Sequence, residues 1–297
     1  MNLSSKRDLK SLLKKHYIQP SKGLGQNFLV GKEIIKRVIE AADLKPADTV
    51  LEIGPGLGTL TLELAKKAKK VIAVEKDQKM VGILKETLKA FENVEIIQND
   101  ILKIEEKNLF SPFARHLAGS VIENYKIVAN LPFYLTAPVI RKFLESKNQP
   151  KEMILLVQKE VGQRICAKPP DMNLLAVSVQ IYAEAKIINY VSKKSFWPQP
   201  KVDSAIIKIV PLEIKTCNHR ISLRKRNLFF KIVKAGFSQP RKQLLNNLSK
   251  KLGIGKERIK IWLSENNIQP FQRAETLTVE DWTKLTENFV SSINLLY

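Results

Sequence analysis

The sequence predicts an α/β protein in which helices cover both faces of a parallel sheet, followed by a smaller, basic and all-helical domain. Short β-branched runs alternate with amphipathic stretches through the first two thirds of the chain. Strand patterns end near residue 212, and only helical periodicity follows. With 297 residues, 44% of them hydrophobic, the chain is long enough for a substantial core and a second domain.

The first elements are a basic arm and a helix. Residues 1–22 are polar and basic, and we expect them to order only against a partner. Ile34, Ile35, Val38 and Ile39 then fall at helical spacing, and Pro46 ends that helix.

An alternation of strands and helices follows. Strands are predicted at 49–53, 71–75, 94–98, 126–130 and 153–157. Helices are predicted at 59–68, 78–91, 137–146 and 159–167. Residues 101–124 interrupt the pattern and are predicted to form a long loop with a short helix.

The remaining elements define the domain boundary. A helix at 174–183 and strands at 187–191 and 205–210 complete the α/β part. Helical periodicity returns at 222–236, 242–252, 257–266 and 279–291. We therefore predict an arm at 1–22, an α/β domain at 23–214 and a helical domain at 215–297.

The charge of the chain is strongly positive and unevenly distributed. Fifty Lys and Arg against 29 Asp and Glu give a net charge of +21. Residues 215–260 hold 14 basic residues and one acid, Glu257, whereas 39–100 mixes both signs. The first 37 residues add nine basic residues against two acids. Two one-sided clusters around a balanced core favour a nucleic-acid partner over solvated lysines or a membrane surface.

Several classes of protein are excluded or disfavoured. Cys166 and Cys217 match neither a zinc nor a redox spacing, so we expect no metal and a reducing compartment. The amino terminus lacks an apolar signal region, and no uncharged apolar run reaches the ~18–20 residues of a membrane span. We expect a soluble, cytoplasmic monomer.

A glycine-rich loop directly follows the first strand. Gly54, Gly56 and Gly58 stand at alternate positions, where a backbone can turn tightly and approach a ligand. A dinucleotide fingerprint needs Gly or Ala at the sixth position, which is Thr59 here, so the NAD interpretation weakens. The loop suits S-adenosylmethionine better, although a turn without a ligand remains an alternative.

Acids follow the next two strands. Glu75 comes 21 residues after Gly54, close to the ~20-residue spacing at which a carboxylate binds ribose hydroxyls. Asp100 ends the third strand and can accept a hydrogen bond from an adenine amine. Asp77 is interpreted as a helix N-cap. Each acid alone fits a turn, but together at one sheet edge they favour a ligand site.

The segment Asn130-Leu131-Pro132-Phe133 has the groups needed to hold an amino-bearing base. The Asn130 side-chain oxygen and the Leu131 carbonyl can accept from an exocyclic amine, Pro132 fixes the turn, and Phe133 can stack on the base. Alone, these residues also fit a strand-end turn and a core aromatic. Combined with the glycine loop, they predict methyl transfer to an adenine.

The chain resembles the ribosomal RNA adenine N6,N6-dimethyltransferase family. The matching segments are KGLGQNFL at 22–29, the glycine loop at 54–61, VEKD at 74–77, ND at 99–100, 130–138, VQKEV at 157–161, FWPQPKVDSA at 196–205, FSQPRKQLLNNL at 237–248 and RAETL at 273–277. One departure is Phe133, where the family more often has Tyr; the ring remains and the hydroxyl is lost.

The resemblance implies a class I S-adenosylmethionine-dependent methyltransferase, with a Rossmann-like, seven-stranded, mostly parallel sheet and a small helical C-terminal domain. It implies dimethylation of two adjacent adenosines in the 3′-terminal hairpin loop of small-subunit rRNA during ribosome biogenesis. The implied cofactor contacts are Asn27, Leu29, Gly54, Gly56, Glu75, Asp100 and Asn130.

We further expect RNA contacts from basic residues of the helical region, namely Arg224, Lys225, Arg226, Lys231, Arg241 and Lys242. Two alternatives stay open from the sequence: a large-subunit rRNA methyltransferase of the macrolide-resistance type, and a non-enzymatic assembly factor. A DNA adenine methyltransferase is weaker, because no sequence-reading module is recognisable.

Overall fold

The computed structural model describes residues 3–21, 23–105, 109, 124–212 and 225–294. These residues divide into two compact units, Met1–Gly162 with Ala185–Pro211, and Gln163–Glu184 with Leu212–Tyr297. Most of the predicted loop at 101–124 lies outside the described residues, as do Arg224 and Cys217. Among the described residues, no helix is both long and apolar enough to span a membrane.

A seven-stranded sheet forms the centre of the α/β unit. Its strands, in chain order, are β2 (Thr49–Ile53), β3 (Lys70–Glu75), β4 (Val94–Gln98), β5 (Tyr125–Asn130), β6 (Glu152–Gln158), β7 (Ala183–Val191) and β9 (Ser204–Pro211). Their order across the sheet is β4-β3-β2-β5-β6-β9-β7. The pairs from β4 to β6 are parallel, and β6 pairs with β9 antiparallel. The predicted class I methyltransferase fold is confirmed.

The order of the strands places the site. The chain runs from β2 outwards to β4 and then returns to β5 on the other side of β2. The connections therefore leave the carboxyl ends of β2 and β5 in opposite directions. In open α/β sheets, ligands bind at such a point. Both predicted motifs, the glycine loop after β2 and Asn130–Phe133 after β5, start at this point.

The strands form because their apolar side chains are buried on both faces. Val50, Leu51, Val71 and Ile127 are fully buried, as expected for a parallel sheet covered by helices. The flanking helices are α2 (Lys32–Ala41), α3 (Thr59–Ala65), α4 (Gln78–Thr87) and α5 (Thr136–Leu144). Helix α6 (Lys159–Ile165) follows β6, and α7 (Leu174–Gln180) belongs to the second unit. Asp77 caps α4 by accepting from the Lys79 N–H at 3.0 Å, which confirms the predicted N-cap.

The described part of the predicted arm, residues 3–21, includes a helix packed on the α/β unit, contrary to the expectation that the arm orders only against a partner. It forms helix α1 (Lys6–Lys15), capped by Ser5. Leu9, Leu12 and Leu13 are buried in a cluster with residues such as Leu57 and Met80 of the α/β unit. The expectation was wrong because the basic residues lie on one face of a helix whose other face is leucine-rich, a periodicity that the charge count hides.

The same region contains a second, two-stranded sheet that the sequence pattern did not predict. Strand β1 (Phe28–Leu29) pairs antiparallel with β8 (Phe196–Trp197). Two residues are too few to show an alternating pattern, so sequence periodicity cannot reveal such strands. Their pairing brings the segments around Asn27 and Pro200 together.

The helical unit has five helices between residues 225 and 294. They are α8 (Arg226–Gly236), α9 (Leu244–Leu252), α10 (Lys256–Glu265), α11 (Val279–Glu287) and α12 (Phe289–Asn294). Trp262 and Trp282 are fully buried in its core. The helix predicted at 279–291 is two helices, because the chain turns at Asn288, whose side chain donates to Asn266.

The unit boundaries differ from the predicted ones. Residues 163–184 belong with the helical unit, whereas the prediction placed them in the α/β domain. The Met172 N–H donates to the Glu275 carbonyl oxygen at 3.0 Å, and the Leu212 N–H donates to the carbonyl oxygen of Tyr182 at 2.9 Å. These are long-range contacts, which a composition shift along the chain does not reveal.

Candidate active site

A pocket at the carboxyl ends of the central strands collects the predicted cofactor and catalytic residues. Its walls include Asn27, Leu29, Gly54, Gly56, Glu75, Asp100, Asn130, Leu131, Pro132 and Phe133. These residues come from five separate segments of the α/β unit, and their roles stay predictions.

The glycine loop lines the pocket, and its backbone conformation requires glycine. Gly54, Gly56 and Gly58 have φ angles of 68°, 59° and 84°, which residues other than glycine rarely adopt. A Cβ at Gly56 would lie 3.1 Å from the Phe28 ring. The loop therefore needs glycine for its turn and for its close approach to β1.

Glu75 is held at the end of β3 by the glycine loop. Its Oε2 accepts from the Gly56 N–H at 3.0 Å, and its Oε1 accepts from the Asp77 N–H at 2.8 Å. The side chain is nearly buried, and burial raises the pKa of Glu75 despite these two hydrogen bonds. The carboxylate keeps further lone pairs for hydroxyl donors in the pocket.

Asp100 is oriented after the end of β4. Its Oδ1 accepts from the Leu102 N–H at 3.0 Å, and its Oδ2 lies 3.0 Å from Lys76 Nζ. Partial burial raises the pKa of Asp100, but these partners outweigh it and hold the pKa below its usual value. Asp100 therefore carries a negative charge at neutral pH.

Asn130 links the turn after β5 to the segment that precedes β1. Its Nδ2 donates to the Asn27 carbonyl oxygen at 3.0 Å. A carbonyl oxygen only accepts, so the amide nitrogen must face Asn27, and Oδ1 is left as the acceptor of this side chain. The Leu131 N–H donates to the Leu156 carbonyl oxygen at 3.2 Å, which fixes the following turn to β6.

The aromatic side of the pocket begins at the same turn. Pro132 precedes a single 3₁₀ turn, Phe133–Leu135, and its carbonyl accepts from the Leu135 N–H at 2.9 Å. Phe133 is half-buried and lines the pocket together with Phe196 from β8. Two aromatic rings lining the pocket suit a flat ligand.

Glu52 is a pocket residue that the sequence pattern did not single out. It lies in β2, is 2% exposed, and no described residue hydrogen-bonds its Oε2 atom. Burial, with the nearby Glu75, raises the pKa of Glu52 from 4.5 to about 8. The signal was an acid between Leu51 and Ile53 in an otherwise apolar strand, which costs free energy unless a ligand or partner compensates it.

The polar groups of the pocket suit a cationic nucleoside ligand. Asp100 is negatively charged, and Glu52 and Glu75 add two further carboxyl groups, within a chain of net charge +21. The negative charge of Asp100 and the glycine turn are features that S-adenosylmethionine fits through its positive charge and its ribose. Within the described part of the chain, no group of three His, Cys, Asp or Glu side chains is placed to hold a metal ion.

The predicted RNA residues lie in the helical unit and differ in their availability. Lys231, Arg241 and Lys242 are exposed. Lys225 Nζ donates to the Glu287 carbonyl oxygen at 3.1 Å, and the Arg226 guanidinium lies 5.1 Å from the Tyr182 ring centroid. The structure does not describe Arg224. Three of the six predicted residues are therefore exposed and three are packed or not described.

Comparison with known proteins identifies the family. The family model described as "Ribosomal RNA adenine dimethylase" matches residues 19–290. A "Ribosomal RNA small subunit methyltransferase A" of Dehalococcoides mccartyi is 44% identical over 276 residues, covering 93% of this chain and 90% of the relative. Its namesake from Alkaliphilus oremlandii is 38% identical over 294 residues, covering 98% and 99%.

Solved structures agree at the level of the fold. A dimethyladenosine transferase from Plasmodium falciparum has a TM-score of 0.69 at 25% identity, covering 89% of this chain and 98% of that protein. The 23S rRNA methyltransferase ErmE has a TM-score of 0.66 at 24% identity, covering 90% and 100%. With the family model matching nearly the whole chain, this protein belongs to the ribosomal RNA adenine dimethylase family, whose methyl donor is S-adenosylmethionine.

Proposed function

We propose that this enzyme dimethylates N6 of two adjacent adenosines in the 3′-terminal hairpin loop of small-subunit rRNA during ribosome biogenesis. The observation that carries the proposal is the orientation of Asn130, whose amide nitrogen is occupied by the Asn27 carbonyl. Its oxygen is thereby left to accept from an amine beside a pocket suited to a nucleoside. Relatives at 38–44% identity that carry the small-subunit name support the choice of substrate.

Residues of the α/β unit would hold S-adenosylmethionine, which supplies an electrophilic methyl group on a sulfonium. We assign the ribose hydroxyls to Glu75 and the adenine amine to Asp100, because both carboxylates are fixed by backbone N–H groups. Gly54 and Gly56 allow close approach of the backbone, and Asn27 and Leu29 line the same pocket.

The acceptor adenine would be held by the Asn130–Phe133 turn. The N6 amine is a weak nucleophile because its lone pair is delocalised into the ring. When Asn130 Oδ1 and the Leu131 carbonyl accept its two hydrogens, they favour a pyramidal nitrogen and direct its lone pair. Phe133 stacks on an unpaired or flipped base, and Pro132 fixes the turn. Positioning therefore supplies most of the rate enhancement, and the proton leaves to solvent after transfer.

The basic surface of the helical unit would bind rRNA outside the target loop. Lys231, Arg241 and Lys242 are the exposed candidates for phosphate contacts. Arg226 and Lys225 would support that surface through their contacts within the unit. We also propose that the enzyme acts as a monomer in the cytoplasm, on small subunits that are being assembled.

The function is tested with purified protein and ribosomal subunits from a strain lacking these methyl groups. Labelled S-adenosylmethionine should transfer label to small-subunit rRNA and yield N6,N6-dimethyladenosine after nuclease digestion. Label only in large-subunit rRNA would instead support the resistance-type function. Tight binding of small subunits without any label would support a non-enzymatic assembly factor.

A further inference from the structure

A second groove adjoins the candidate active site within the α/β unit. Its volume is about 970 Å³. Gly25, Gln26, Asn27, Phe133 and Pro200 line both the groove and the active-site pocket. A chain that enters the pocket at Phe133 can therefore continue into this groove.

The two walls of the groove combine positive charge with aromatic rings. One wall is the carboxyl end of α1 and the residues after it, including Lys10, Lys14 and Tyr17. The other wall is the segment from Trp197 to Val202 and includes Lys201. Lys10 Nζ lies 5.5 Å from the centre of the Trp197 ring. Aromatic rings interleaved with lysines are the usual composition of a groove for single-stranded nucleic acid.

Tyr17 lies at a position whose backbone conformation is unfavourable for tyrosine. Helix α1 ends in a Schellman motif, in which the Ile18 N–H donates to the Leu13 carbonyl at 2.9 Å and the Tyr17 N–H donates to that of Lys14 at 3.1 Å. Tyr17 is therefore the C′ residue, with φ 54°, where glycine or asparagine is usual. A bulky residue there costs on the order of 1 kcal/mol in backbone strain.

Burial of the Tyr17 ring does not offset this backbone strain. The residue is 95% exposed, the highest value among the large hydrophobic side chains in the described part of the chain. A glycine would make the same turn with less strain. The ring is therefore better explained by an external ligand than by stability.

We propose that this groove binds the single-stranded rRNA next to the target adenosine, with a base stacked on Tyr17 and phosphates beside Lys10, Lys14 and Lys201. The inference rests on the proposed function and extends it to a second nucleotide subsite. Charge complementarity and continuity with the pocket at Phe133 select RNA as the occupant. Trp197, with Lys10 beside it, offers a second aromatic surface in the same groove.

The test compares Tyr17→Gly with the wild type on methyl-deficient small subunits. Because glycine favours this backbone conformation, the variant should be at least as stable as the wild type. Loss of one stacked base should lower kcat/KM for the subunits about 5- to 150-fold. Tyr17→Phe should retain activity, and Tyr190→Ala, which removes another exposed tyrosine outside both pockets, should change little.

Ultraviolet crosslinking of the wild-type complex, followed by mass spectrometry, provides a readout that does not depend on turnover. We expect rRNA nucleotides attached to the peptides containing Tyr17 or Trp197. If the wild type methylates small subunits but Tyr17→Gly is unimpaired and these peptides carry no RNA, the groove inference is overturned while the proposed function stands. Crosslinks from Tyr17 to a ribosomal protein alone would also overturn it. A wild type inactive on small subunits would overturn both.

Discussion

The hydrogen bond from Asn130 Nδ2 to the Asn27 carbonyl fixes the orientation of the Asn130 amide, which leaves its oxygen to accept from the acceptor amine. Removing its side chain leaves the acceptor amine with one fewer partner and releases the Asn27 carbonyl. We expect Asn130→Ala to lower kcat at least about 100-fold, as loss of one positioned group typically does. Binding of methyl-deficient subunits, measured by filter retention, should stay nearly unchanged.

The control for Asn130→Ala is Gln98→Ala, which removes an exposed amide from the end of β4. It should keep wild-type turnover. A large loss of RNA affinity in Asn130→Ala, with turnover of the remaining complex intact, would remove Asn130 from its assigned role.

Glu52 gives a pH-dependent prediction. Its pKa is raised from 4.5 to about 8, so the native protein binds more protons than the unfolded chain between these values. Stability contributed by this site therefore falls as pH rises from about 5 to 8, by up to about 1.4 kcal/mol per pH unit. Glu52→Gln should remove this dependence.

Urea denaturation of the wild type and Glu52→Gln across pH 5–9 measures this effect. The difference in the free energy of unfolding should grow in favour of the glutamine variant up to about pH 8 and then level off. Glu63→Gln, a change at an exposed acid paired with Lys66, should give a curve parallel to the wild type. Parallel curves for Glu52→Gln would mean that its carboxyl titrates normally.

Residues whose type is restricted by geometry were predictable from the sequence. Gly54, Gly56, Asp77 and Asn130 lie where the strand-end pattern placed them, because a glycine turn and an N-cap are local requirements. Glu52 and Tyr17 were missed for the opposite reason. Their significance depends on burial and exposure, which only the folded chain defines.

The glycine loop gives a prediction at the scale of one element. Gly56 has a positive φ and would bring a Cβ into tight contact with the Phe28 ring at 3.1 Å, whereas Gly82, within α4, has open space and a helical conformation. Gly82→Ala should stabilise the protein by about 0.5–1 kcal/mol, since glycine is unfavourable inside a helix. Gly56→Ala should destabilise it and weaken binding of the methyl donor.

Thermal denaturation and isothermal titration with S-adenosylmethionine distinguish the two glycine variants. Gly82→Ala should bind the donor with wild-type affinity, which controls for the alanine substitution itself. Unchanged donor affinity in a folded Gly56→Ala protein would contradict a close approach of the loop to the ligand.

Elements with long periodic patterns were predicted well, and short or context-dependent ones were not. The five predicted strands from β2 to β6 all form, because each is a short run rich in aliphatic and β-branched residues that alternates with a longer helical pattern. Strands β1 and β8 are too short to show a pattern. Helix α1 was hidden because its lysines dominated the composition, while its three leucines determine its packing.

At the scale of the whole molecule, the net charge of +21 predicts salt-dependent binding to rRNA. Changing Lys231, Arg241 and Lys242 to glutamine should weaken subunit binding. It should also reduce the slope of log K against log salt by about 0.7–0.9 for each phosphate that the variant no longer neutralises.

A variant with Lys67, Lys85 and Lys89 changed to glutamine is the matched control. It removes the same charge from exposed positions of the α/β unit. Equal slopes for the two triple variants would show that total charge, rather than a specific surface of the helical unit, determines binding.

We propose above all that this enzyme dimethylates two adjacent adenosines of small-subunit rRNA. The most direct test of this claim is mass spectrometry of rRNA from the source organism with and without the gene. We predict that two adjacent N6,N6-dimethyladenosines in the 3′-terminal hairpin disappear on deletion and return with the wild-type gene but not with Asn130→Ala. Their persistence in the deletion strain, or a loss confined to large-subunit rRNA, would contradict the claim.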